Sequence, residues 1–323
     1  VTGFDWGFLG LDSDYSEEII EEVPGIYTRM QRTHSTPVGD FTAITRHNSD
    51  EMDKGDYFWE KRFIDTVDDF RLIAEADRTI RPFHLEEYNE GCIEVGNRGL
   101  VSTGLLHPLG VLVRYSKMEE VYAWMLEEEA LTRKFLENSN TQVSESILSI
   151  GNTLLADPPV FMTYALEMLT PPWMGKYHFD KLVFPYDKMV NDSIHTIGAR
   201  HRAHCHGNSG GYLELFADMG IDAVEPLEPA PYGDNVLEEA KQQVSGRMLL
   251  SGNVPSQAFY FDQIGPGEVR ELTMAALAAG APGGGFSLKT TGGAVGNGKT
   301  KEQGIKNIAL NLALIETWRE FCG

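Results

Sequence analysis

The sequence predicts an α/β fold built on a parallel sheet, either covered on its faces or closed into a barrel. Three observations carry this. Short apolar segments alternate with helical patterns of about ten residues or more through the second half of the chain, the signature of βαβ units. The 323 residues suit one large barrel, a class that routinely reaches this size as a single unit. Hydrophobic residues make up 42% of the chain, enough to fill a large core and to exclude a disordered chain.

In chain order, residues 1–95 hold aromatics, acids and turns that do not resolve into regular barrel units, so this stretch reads as a partly irregular extension. Residues 100–106 read as a strand, and Ser116 with Glu119 makes a capping box ahead of a helix through Leu136. Residues 160–168 read as another strand. Met189, Val190, Ile194 and Ile197 recur at helical spacing and predict a helix over 186–200. A strand at 203–206 and a glycine-containing turn at 207–211 lead into a helix at 212–219, which Gly220 stops. The pattern repeats three times: strand 222–227 with helix 236–244, strand 247–254 with helix 268–279, and strand 285–290 with helix 301–321. No internal repeat or low-complexity linker interrupts the chain, so one domain over 1–323 is the simplest reading.

The formal net charge is −21, from 48 acids against 27 bases. Such a surface repels phosphate backbones and anionic lipid, which argues against nucleic acid and membrane as partners. No apolar run approaches the roughly 18–20 residues that span a bilayer. Cys92, Cys205 and Cys322 are odd in number and widely separated, as in a reducing compartment, and the first thirty residues are acidic where a secretory signal is basic and apolar. A cytoplasmic enzyme is the expectation.

The most informative stretch is Ala203-His204-Cys205-His206-Gly207. In a strand, side chains alternate faces, so His204 and His206 project together while Cys205 packs the other way. Two imidazoles at the C-terminal end of a barrel strand can take two positions on one divalent cation, at the end where barrels do their chemistry. The same pair can also be satisfied by backbone carbonyls. Zinc needs a third protein ligand, and the next strand offers Glu225, with Glu228 a little further out. Glu167, flanked by apolar residues at another strand end, is a candidate general base, ligand or orienting group. Asn253 and Lys289 fall near their strand ends and are candidates to line the cleft. His107 lies just after a strand, as a solvated loop residue or one that reaches the cleft. Trp124 and Met125 read as core, and 127–129 as a solvated acidic helix face.

With these residues in place, the chain resembles the uroporphyrinogen-decarboxylase-like superfamily, which includes corrinoid-dependent methyltransferases. The fragments that carry the resemblance are Arg62-Phe63-Ile64-Asp65-Thr66-Val67-Asp68-Asp69-Phe70, then Glu167 followed by Phe179 and Pro185. After these come His204-Cys205-His206-Gly207-Asn208, Gly220-Ile221-Asp222-Ala223-Val224-Glu225-Pro226, and Ser251-Gly252-Asn253-Val254. The resemblance implies a (β/α)8 TIM barrel with its cleft at the C-terminal strand ends. For the methyltransferase branch it implies Zn2+ and a corrinoid (cobalamin) carried on a separate small protein. His204 matches that branch's first zinc histidine. His206 stands where the motif often has Cys, and no cysteine occurs near 289–293, where a distal one is expected. A set of His204, His206 and Glu225 would leave zinc harder and more Lewis-acidic than a thiolate-rich set, which suits an ether oxygen better than a thiol. The expected activity is O-demethylation of a small methyl donor, in the first instance a methoxylated aromatic, with the methyl group passed to the corrinoid protein, Glu167 and Asn253 acting at the reacting centre. Uroporphyrinogen decarboxylase itself uses no metal, and its arginine-rich N-terminal motif is not found here. A catalytically degenerate barrel that only docks a corrinoid protein is the non-enzymatic alternative.

Residues 293–300 also match the phosphate-loop pattern, with Gly298, Lys299 and Thr300 at its end. Only 23 residues follow Thr300, all taken by one helix, so no downstream strand can bring a magnesium-binding acid. Thr300 and Gln303 also form a capping box, which explains part of the match. Gly292, Gly293 and Gly296 instead suit a loop that binds anionic groups of the substrate or the side chains of the corrinoid, as late barrel loops do.

Overall fold

The computed structural model describes residues 2–3, 6–49, 57–81, 83, 85–151, 159–164, 166–244, 246–260, 264–292 and 300–323. It divides into two compact units, one of Val1–Pro158 with Asp192–Gly198 and the other of Pro159–Asn191 with Ala199–Gly323.

In the first unit β1 (Thr2–Gly3) is followed by four strands, β2 (Asp14–Val23), β3 (Tyr27–Thr36), β4 (Gly39–Asn48) and β5 (Phe58–Lys61). These four form an antiparallel sheet in chain order. The stretch expected to be irregular is therefore largely a β-meander. Its hairpins turn at Pro24-Gly25 and Pro37-Val38, the type of residue that starts tight turns. On β4 the buried residues Phe41, Ala43 and Thr45 alternate with half-buried ones, the period of a one-faced strand. β2 is almost wholly exposed and carries Glu17, Glu18, Glu21 and Glu22, so no such alternation marks it.

Helices α1 (Val67–Glu75) and α2 (Leu85–Val95) precede β6 (Ser102–Leu106), which pairs in parallel with β1. Then come α3 (Pro108–Tyr115), α4 (Met118–Glu127) and α5 (Glu129–Ile150). The capping box that forms is Thr66 with Asp69 at α1. The one expected at Ser116 and Glu119 does not form, because the Ser116 N–H closes α3 on the Leu112 carbonyl at 2.9 Å and the N-cap of α4 is Lys117. Phe70 of α1 stacks on Trp124 at 5.1 Å and meets Phe135 edge-on at 5.6 Å, so Trp124 is core as expected. His107 is buried rather than solvated, and its Nδ1 caps α3 by accepting from the Leu109 N–H at 3.2 Å.

The second unit begins with β7 (Val160–Tyr164), which ends sooner than expected; Glu167 stands on a 3-10 turn, Leu166–Leu169. Helices α6 (Lys176–Leu182) and α7 (Phe184–Thr196) lead to β8 (Arg200–His204). The chain then alternates: α8 (Leu213–Asp218), β9 (Ala223–Leu227), α9 (Leu237–Val244), β10 (Leu249–Val254), α10 (Pro266–Gly280), β11 (Phe286–Thr290) and α11 (Lys301–Cys322). All five strands are parallel and neighbours in chain order. This is the α/β architecture with parallel strands that the alternation predicts, and it aligns the five C-terminal strand ends. Among the described residues no helix is long and apolar enough to cross a membrane.

Candidate active site

Strand β8 builds the site. His201 and Ala203 are buried, while Arg202 and His204 lie half-buried on the opposite face, as a two-residue period requires. His201 is a structural residue, held by Thr163 and by Asn191 Oδ1 at 2.5 Å. His204 ends the strand, and pairing runs one residue further, where the Cys205 N–H donates to the Glu225 carbonyl at 2.7 Å. His206 comes just past the strand rather than within it. The structure nonetheless brings the two imidazoles together, with ring centroids 4.7 Å apart and planes at 78°.

Strand β9 and the loop after it supply a carboxylate for each ring. His204 and Glu225 are register partners, and His204 Nδ1 lies 3.5 Å from Glu225 Oε1. His206 Nδ1 lies 3.2 Å from Glu228 Oε2. Each imidazole thus turns Nδ1 to its own acid, and Nε2, across the ring, is the nitrogen suited to a metal ion. Glu228 is fixed in turn by the Gly207 N–H, which donates to Oε2 at 2.8 Å. Gly207 holds φ at +78°, a left-handed turn that glycine takes without steric cost. A Cβ at Gly233 would come within 2.5 Å of the Glu228 and Gly207 carbonyl oxygens, so only glycine lets the loop cross there.

The charges are strongly coupled. Glu225 is only 1% exposed. Burial alone would push its carboxyl up, but bonds from His204, Lys289 and Arg202 outweigh this and hold it well below the usual carboxylate range. Burial also opposes ionisation of Glu228, and the bonds from His206 and the Gly207 N–H prevail and lower it. The bond to Glu228 raises His206 against the effect of burial. Burial pushes the Cys205 thiol up to about 12, a bond with Thr170 offsetting little, so this sulfur is packing rather than a ligand.

Glu225 is the carboxylate expected as the third ligand. It does lie beside His204, but its carboxylate is ion-paired with both Arg202 and Lys289. Both cations share its Oε2, and Oε1 is the oxygen that faces His204. Among the described residues no three His, Cys, Asp or Glu side chains form a ready metal cage. Beside the two imidazoles stands Glu167, whose Oε2 is buried with no hydrogen-bond partner among the described residues. Glu167 is close enough for its charge to act on both Cys205 and His206.

Asn253 donates from Nδ2 to the Leu227 carbonyl at 3.1 Å, and its register partner on β11 is Lys289. Gly292 stands against Ser256, whose Oγ would lie 2.5 Å from a Cβ at that position. Gly293 and Gly296, with the rest of 293–299, lie outside the described residues. Thr300 caps α11, its side chain accepting from the Gln303 N–H at 3.2 Å, which accounts for the end of the phosphate-loop match. Sequence reasoning missed Arg202. Its signal was there: two residues before His204 on one strand means the same face.

No protein-family model matches the chain, and no curated protein matches its sequence. In fold it is similar to a methyltransferase from Methanosarcina mazei, with a TM-score of 0.54 at 17% identity over 74% of this chain. The match takes in 64% of that methyltransferase, so this chain corresponds to somewhat less than two thirds of its length.

Proposed function

We propose that this chain is a methyltransferase of the O-demethylase type. It takes a methyl group from a small O-methyl substrate, in the first instance a methoxylated aromatic, and passes it to a corrinoid on a separate protein. We read the parallel βα units as part of one (β/α)8 barrel whose reaction lies at the C-terminal strand ends. The observation that carries the reading is the His204–His206 pair, each ring backed by its own buried carboxylate. The fold likeness to a methyltransferase supports it. His204 and His206 would hold a zinc ion through Nε2, with Glu167 the carboxylate available for a third position. When bound, zinc in such a hard donor set supplies Lewis acidity toward an ether oxygen.

The protein's own residues have separable parts in this. Glu228 engages the His206 Nδ1 at 3.2 Å and Glu225 faces that of His204 at 3.5 Å, and both acids so set the ring orientations. Asn253, whose Nδ2 is spent on Leu227, offers its carbonyl oxygen to the substrate. The buried thiol of Cys205 keeps a competing soft ligand out of the site.

The test is metal content beside turnover. Zinc at about one per chain in the wild type, lost in His204→Ala and in His206→Ala, is expected. The loaded wild type should then release a demethylated product from a methyl ether in the presence of a corrinoid protein. A wild type that takes up no zinc when zinc is supplied, or a loaded protein that demethylates no ether offered, would overturn the proposal.

A further inference from the structure

Helix α11 lacks the one-sided pattern of a surface helix. Its middle, residues 307–315, runs nine residues without a charge in a chain that is 23% charged. Asn307, Leu310, Ala313 and Thr317 are buried, and Arg270 of α10 reaches Glu316 and Glu320 beside them. Ile305, Ile308, Leu312 and Ile315, by contrast, are 61%, 58%, 51% and 41% exposed. At 3.6 residues per turn these four fall in one stripe about 80° wide, on the side of the helix opposite the buried set. The outer face of a helix that packs on a sheet is normally polar. Apolar stripes on both sides belong to a helix that is covered on both sides.

The spacing of the exposed stripe selects the cover. Steps of three, four and three make an a/d seam, with Ile305 and Leu312 at one position and Ile308 and Ile315 at the other. The series also reads the same from either end: about Leu310 as centre, Ile305 mirrors Ile315 and Ile308 mirrors Leu312. A second copy laid antiparallel across a two-fold axis therefore meets each apolar side chain with another, as an isologous contact requires. At the ends, Lys301 and Glu302 come opposite Arg319 and Glu320, one charge of each sign on both sides. The four side chains present on the order of 400 Å² of apolar surface, about half of what a standard interface takes from each partner. An uncharged centre with charged ends is the anatomy of an interface core and its rim. Two chains of charge −21 repel where acids cover them, and this stretch is free of that charge.

We infer that the chain forms a two-fold dimer through α11, the seam of Ile305, Ile308, Leu312 and Ile315 closing antiparallel on that of a second copy. The interface does not rest on the methyl-transfer reading.

The test is sedimentation equilibrium of the full chain, with wild type expected at twice the 36.0 kDa of one chain. Ile308→Glu and Leu312→Glu should each weaken self-association about a hundredfold or more, because each brings two carboxylates into an apolar seam. Leu312→Met should keep the dimer, and unchanged far-UV circular dichroism of the Glu variants separates a lost contact from misfolding. The register has its own readout. Under mild oxidation in a Cys322→Ser background, a chain with Ile305→Cys and one with Ile315→Cys should cross-link to each other and not each to itself. A wild type at the mass of one chain up to about 100 μM overturns the inference, as does a dimer that both Glu variants leave intact. Cross-linking of the Ile305→Cys chain to itself overturns the antiparallel arrangement.

Discussion

Removing the carboxylate of Glu225 would leave Arg202 and Lys289 facing each other across an uncompensated gap. Glu225→Gln is expected to cost about 3 kcal/mol at neutral pH, at the low end for a broken buried pair because both cations keep some solvent. The pH dependence has a definite sign. The Glu225 carboxyl lies lower in the folded chain than in the unfolded one, so its stabilisation is complete above the ordinary carboxylate value and is lost as pH falls toward the folded value. Denaturant titrations should show the gap between wild type and variant narrowing below pH ~4; an unchanged gap down to pH ~2 would contradict this account. Cys205 gives a second check at this scale. Buried and with its thiol pushed to about 12, it should resist alkylation at mildly basic pH, while exposed Cys322 reacts. Modification of Cys205 in the native protein at the rate of Cys322 would contradict its placement.

At the scale of elements, the loop after β9 depends on the crossing at Gly233. Gly233→Ala drives a methyl into two carbonyl oxygens and is expected to cost on the order of 2–3 kcal/mol, with Glu228 loosened from His206. A melting temperature equal to wild type would argue that the loop gives way cheaply. The strands from β9 onward were legible because each is a short apolar run bounded by a helix pattern, whereas β8 was placed about three residues late, at 203–206, because Arg200, His201 and Arg202 are not apolar. β7 was overextended to 168 because the apolar run continues past Tyr164 into a 3-10 turn, and hydropathy carries no mark of that change. The β2–β5 meander was illegible for the opposite reason, since an exposed acidic strand lacks alternation; only its proline turns announced it. At the site, the histidine pair could be read from spacing, whereas the engagement of Glu225 could not. Its cations come from β8 and β11, and their meeting is a consequence of strand order.

On the whole molecule, the charge of −21 works against compactness, because like charges are brought closer on folding. Raising salt from about 20 to 300 mM should therefore raise the melting temperature, since screening relieves the repulsion while individual surface ion pairs contribute little. A falling melting temperature would mean that specific ion pairs outweigh the net charge. The arrangement of the second unit has a further consequence. The residues converging at the strand ends arrive on separate βα units: Arg202 and His204 on one, Glu225 and Glu228 on the next, Asn253 on a third, Lys289 on a fourth. They stand on or just past strands whose ladder bonds run between backbone groups and do not depend on these side chains. The set is combinatorial: one position can be exchanged while the frame that presents it is inherited intact.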